Sequence, residues 1–242
     1  MQRPLLAFAA IALSLLPVRA AGQADKKDPV SLTADVGFVN TAGNTEVTTL
    51  SGAEQLEATH GRWTFGQGLA VVYGRTSGTT TTNQWRANLR GDYGLTPLLG
   101  VYVHGGWERN RFAGISRRFE EGTGLSCKLI AAKRDHLDLE GGVSLNQQRD
   151  NAGVTVHFAA ARAAASFKHL LTNAAFFEQT LESLTNLNDS QDERINSETV
   201  LVAPISKRIA LKASYVVRFD NRPEPTFKKT DRLFSTGLQV VF

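Results

Sequence analysis

The chain has one cysteine, Cys127, among its 242 residues, so no disulfide can form within it. The same scarcity removes thiolate metal sites and dithiol redox chemistry. The five histidines, His60, His104, His136, His157 and His169, are scattered, and no two stand at ligand spacing. A GxSxG elbow is missing, which leaves no signature of a Ser-His nucleophile. Charge of one sign is also missing: the formal net charge is +4 in total, too small and too dispersed to argue for nucleic acid. Apolar runs are short. The longest, Leu5 to Leu16, has twelve residues, against the ~20 that a spanning helix needs.

That one run has a function of its own. Arg3 precedes it, and small residues follow at Val18-Arg19-Ala20 and Gly22-Gln23-Ala24. We read residues 1–24 as a secretory signal peptide, cut after Ala20 or Ala24, and residues 25–242 as one mature domain. No cysteine follows either site, so a lipid anchor is not indicated.

The remaining sequence alternates. From the end backwards, Phe242, Val240, Leu238, Thr236 and Phe234 fall on one face, with Val241, Gln239, Gly237 and Ser235 on the other. Trp63, Phe65, Leu69, Val71 and Tyr73 are set against Thr64, Gly66, Gly68 and Ala70. Trp85, Ala87, Leu89 and Tyr93 are set against Arg86, Asn88, Arg90 and Asp92, and Ile209, Leu211, Tyr215 and Phe219 against Lys212, Ser214 and Arg218. Short turn signals at His60-Gly61, Thr96 to Leu98, Ala131 to Asp135, Leu171 to Asn173 and Pro204 to Lys207 interleave with more polar ones. These are Asn40 to Asn44, Arg75 to Asn83, Arg109 to Arg117, Asp150 to Gly153, Leu187 to Glu193 and Asp220 to Lys229. Five tight turns and six longer loops join twelve antiparallel strands. The expected fold is all-β, a single transmembrane antiparallel barrel in an outer membrane, with both termini periplasmic. A mean hydropathy of −0.20 fits, since half of each strand faces a polar interior. Trp63, Tyr73, Trp85, Tyr93, Trp107, Tyr215 and Phe242 lie near strand ends, as interfacial girdles do.

Two strands are irregular in the sequence. In Thr45 to Thr59 the lipid-facing side is ambiguous, and Glu54 is expected either to point inward or to lie near an interface. Near Ala159 to Ala161 the apolar parity changes, which a β-bulge or the upper rim would explain.

On this register the lumen collects Arg86, Arg90, Lys128, Arg162, Lys168, Lys212 and Arg218, facing Asp92, Glu108, Glu120, Asp138, Glu140, Glu178, Glu182 and Glu198. Mutual pairing fills a narrow barrel; a solute-selecting pore is the alternative. Near-balance of sign argues against strong ion selectivity. Same-face carboxylates such as Glu178 and Glu182 arise in any alternating strand, so they do not define an acid–base pair. His104 is the one histidine central on a strand and reads as a lumen hydrogen-bonding group. No catalytic, metal or cofactor residue is assigned, and Asp189, Asp192 and Glu193 read as solvated loop charge.

Three segments carry a resemblance: Gly37 to Glu46, Phe112 to Arg118 followed by Gly122-Thr123-Gly124-Leu125, and Lys229-Thr230-Asp231. Together they resemble the domain-of-unknown-function family 481, the YdiY-like salt-induced outer-membrane proteins of Gram-negative bacteria. The resemblance implies an envelope barrel, stress-associated, with no established activity. The ending Ser235-x-Gly237-x-x-Val240-x-Phe242 resembles the C-terminal signal read by the barrel assembly machinery. The expected partners are that machinery, outer-membrane lipids and lipopolysaccharide; nucleic acid is not among them, and a monomer is favoured. A structural barrel is the leading functional reading, followed by a narrow small-solute channel and then a lipid hydrolase.

Overall fold

The computed structural model describes residues 30–41, 47–223 and 227–242. The leader at 1–24 and the turn pair Gly43-Asn44 lie outside them. Twelve antiparallel strands close on themselves in sequence order, with β1 hydrogen-bonded to both β2 and β12. They are β1 (Val30–Thr41), β2 (Val47–His60), β3 (Trp63–Thr76), β4 (Thr79–Gly94), β5 (Leu99–Asn110) and β6 (Ile115–Ala131), followed by β7 (Asp135–Asp150), β8 (Thr155–Leu170), β9 (Phe176–Asn186), β10 (Glu193–Pro204), β11 (Ile209–Asp220) and β12 (Thr230–Val241). A 3-10 turn at Arg111–Ala113 is the one helical element among the described residues. We call the end where β1 begins and β12 stops proximal, and the other end distal.

Alternation decides which way each side chain points. Leu89, Leu145 and Phe234 face outward and are 65%, 66% and 67% exposed, and most large apolar side chains share that outward face. The interior is the reverse: Gln84, Ser144, Asn146, Gln148, Arg194, Ser214 and Gln239 are buried there. Such an inside-out distribution suits a wall immersed in hydrocarbon, where every backbone group must be bonded within a closed sheet. Phe242 completes closure, its N–H donating to the Leu32 carbonyl at 3.0 Å.

Two expectations need correction, and one choice between alternatives falls to the upper rim. The expected long loop at Arg75 to Asn83 is a two-residue turn, Ser77-Gly78, with φ of 47° and 78°. Positive φ at both central residues matches the right-handed strand twist, so the hairpin closes tightly. The threonines after it are polar because the ladder extends there, and they continue β4. The parity change in β8 involves no bulge, since β7 and β8 pair without a shift from Asp135 and His169 to Arg149 and Thr155. Val156 and Phe158 turn inward at the distal rim instead.

Glu54 meets neither expectation. Pairing with Ala34 and Leu69 puts it on the outward face, mid-strand, where Gln67 donates to its carboxylate at 3.3 Å. The registers of two neighbouring strands fix this face, and the partner amide satisfies part of the carboxylate.

Candidate functional site

The lumen is crossed by two linked sets of ion pairs. The first begins at Tyr102 on β5, which is 1% exposed. Its ring fits inside the wall because Gly124 and Gly142, opposite each other on β6 and β7, present no side chain. The Arg90 and Arg162 guanidinium carbons lie 4.4 and 5.4 Å from the ring centroid, and the Tyr102 hydroxyl accepts from Arg162 at 2.8 Å. Around this post Arg90 bonds Asp92 at 2.7 Å and Glu140 through two bonds of 2.7 and 3.1 Å. Arg162 bonds Glu140 and Glu182 at 2.7 Å each, and Asn196 donates to Glu182 at 3.0 Å. The electron-rich ring of Tyr102 and the paired carboxylates fix both guanidiniums in place.

The second set converges on Glu108. Arg86, Arg118 and Arg218 approach this one carboxylate to 3.1, 3.2 and 3.4 Å. Arg118 also donates to Gln148 at 2.6 and 2.9 Å. Arg218 belongs to β11 and Glu108 to β5, six strands apart in a ring of twelve, so this pair spans the full width of the barrel. Three guanidiniums share this one carboxylate, with Asp220 and Asp231 in the lining of the same cavity.

The pairs divide the interior into a distal cavity of about 580 Å³ and a second one of about 340 Å³. Arg86, Arg90, Arg162, Glu182, Asn196 and Arg218 line both. Among the described residues the distal cavity is lined by eight cationic side chains, Arg86, Arg90, Arg118, Arg162, Arg194, Arg218, Lys228 and Lys229, against five acidic ones, Glu108, Glu120, Glu182, Asp220 and Asp231. The second holds four of each, with Asp138, Glu140, Glu182 and Glu198 the acids. Summed over the lumen the signs nearly cancel, but locally they do not.

The other lumen residues named from sequence are also interior. Glu120 meets His104 at 3.1 Å, Lys168 meets Glu178 at 3.7 Å, and Ser214 donates to Glu198 at 2.8 Å. Lys212 pairs with Asp35, and Lys128 stands opposite Asp138 in the β6–β7 ladder. His104 also stacks on Tyr102, with centroids 5.7 Å apart, and no serine or threonine hydroxyl bonds it among the described residues. Ser235 faces inward opposite Ser214, Gly237 sits at the β1–β12 closure, and Val240 and Phe242 point outward. Sequence reasoning missed Asp35, Arg118, Arg194 and Tyr102 as lumen groups. Strand parity alone identifies Asp35, whereas Arg118 and Arg194 sit where the sequence reads as the edge of a loop.

These features are those of an outer-membrane β-barrel, and the comparisons agree. Residues 34–242 match the family described as protein of unknown function, DUF481, and the chain belongs to it. No curated protein matches the sequence. Among solved structures, the NanC porin superposes with a TM-score of 0.51 at 10% identity, covering 87% of this chain and 97% of that one. The KdgM porin has a TM-score of 0.46 at 10% identity over 88% and 99%. The translocator domain of the autotransporter NalP from Neisseria meningitidis has 0.47 at 15% over 88% and 86%. At such identities the likeness is one of fold.

Proposed function

We propose that this barrel is a narrow passage for small anionic solutes, entered from the distal cavity and constricted by the ion pairs around Glu108. The excess of cationic side chains lining the distal cavity carries this reading. A concave, low-dielectric mouth of one sign concentrates counter-ions and raises their rate of entry. The chain enters the envelope by its 1–24 leader, both termini lie on the periplasmic side, and the distal cavity opens outward. The assembly machinery reads Ser235, Gly237, Val240 and Phe242; lipids and lipopolysaccharide surround a monomer.

A second reading, a non-conducting envelope barrel, is favoured by the pair Arg218–Glu108, which bridges opposite walls. Planar-bilayer recording of the purified barrel separates the two. Small conductance steps with an anion-preferring reversal potential are expected in a salt gradient. Glu108→Gln frees three arginines from their shared carboxylate and raises the anion preference. Silence from both the wild type and Arg218→Ala, which removes the bridge, refutes the passage in favour of the structural barrel.

A further inference from the structure

Charge lines the lumen, and beside the closing strands apolar side chains join it. There Val72, Val216 and Leu233 face inward and line two small cavities of about 170 and 200 Å³. The outward-facing Val36, Val71 and Leu238 border the first of these, beside an opening between β1 and β12. The register accounts for the opening. β1 and β12 pair only at Thr33 to Val36 against Leu238 to Val241. On the distal side of that ladder β1 continues to Thr41 along β2, and β12 runs from Thr230 along β11, with no pairing between the two among the described residues.

Strand edges that part within a membrane would expose backbone polar groups, which a membrane barrel tolerates only where something fills or lines the gap. The lining says what fits. Arg86 and Arg218 border the opening from inside, beside the paired Asp35 and Lys212 and the Glu198 carboxylate that Ser214 bonds, and the buried Arg218 Nε donates no hydrogen bond among the described residues. The three inward apolar side chains lead from those guanidiniums toward the outer face.

We propose that the β1–β12 seam binds a single-chain amphiphile with an anionic head, its head at Arg86 and Arg218 and its tail leaving the lumen between β1 and β12 on the distal side of Gly37 and Gly237. The head-group half rests on the anion-attracting cavity proposed above; the tail half stands on the seam. A charged head prefers the guanidiniums to hydrocarbon, and the chain gains burial on Val72, Val216 and Leu233.

The test uses the full barrel in lipid nanodiscs and a twelve-carbon carboxylate bearing a diazirine at its tail end. Photolabel is expected on residues 36–38 and 233–238, displaced by dodecanoate and not by dodecanol or inorganic phosphate. Leu233→Asn, or Val72→Asn on a different strand should the first fail to fold, lowers labelling about tenfold while conductance is kept. Label spread evenly over the outward faces of all strands overturns the proposal. So does closure of the seam by a strand of a second copy, which appears as cross-links between β1 and β12 of different chains. Equal displacement by dodecanol overturns the anionic head. A bilayer recording without anion preference, beside seam labelling that Arg218→Gln does not change, overturns the cationic-cavity reading and the head-group half while leaving the tail path supported.

Discussion

At Gly124 and Gly142 the absence of two side chains is filled by the paired backbone and by a lumen side chain; at Gly37 it is filled by the Ser51 hydroxyl of β2, and at Gly237 by the opposite backbone. In the first pair a Cβ would come within 2.6 and 2.7 Å of the Tyr102 hydroxyl and would also meet the carbonyls of Gly141 and Thr123. In the second, a Cβ on Gly237 would meet the Val36 carbonyl and lie 3.0 Å from the Gly37 Cα, and one on Gly37 would lie 3.0 Å from the Thr236 carbonyl. β6 and β7 are laddered from end to end, so their glycines support a fixed post for two arginines. β1 and β12 part just beyond theirs, so those glycines mark where two strands cross. One residue type thus makes one wall rigid and lets the other end.

The comparison predicts a graded series, read as the urea midpoint of the folded barrel in micelles and as heat-modifiable migration on gels. Gly142→Ala has the largest effect, about 1–3 kcal/mol of lost stability, because neither the paired backbone nor Tyr102 can give way. Gly237→Ala follows at about 1 kcal/mol, since the free ends of β1 and β12 can splay to take up the methyl group. Equal losses at the two sites would mean that the seam is as rigid as the far wall, and the distinction would be lost. Gly105→Ala and Gly141→Ala change stability by less than about 0.5 kcal/mol, because a Cβ at either site meets nothing within 4 Å. A large loss at either would show that glycine is needed for more than close approach.

Much of the barrel was legible in the chain. Alternation located twelve strands and assigned Arg86, Arg90, Glu140, Arg162 and Arg218 to the interior, because side-chain direction follows from local backbone geometry. The same logic failed where polarity had another cause. Thr79 to Asn83 looked like a loop and is strand; Glu54 looked out of place in lipid and faces outward beside Gln67. A sum of lumen charge can be taken from strand parity, but the convergence of three arginines on Glu108 depends on distance.

By itself, the sequence determined the strand count and the two faces, since both follow from a period of two along one strand. Only the tertiary structure decided which charges meet, where Tyr102 stands, and that the first and last strands share so short a ladder. These depend on the stagger with which twelve strands close into a ring, a property of the whole circumference that no single strand encodes.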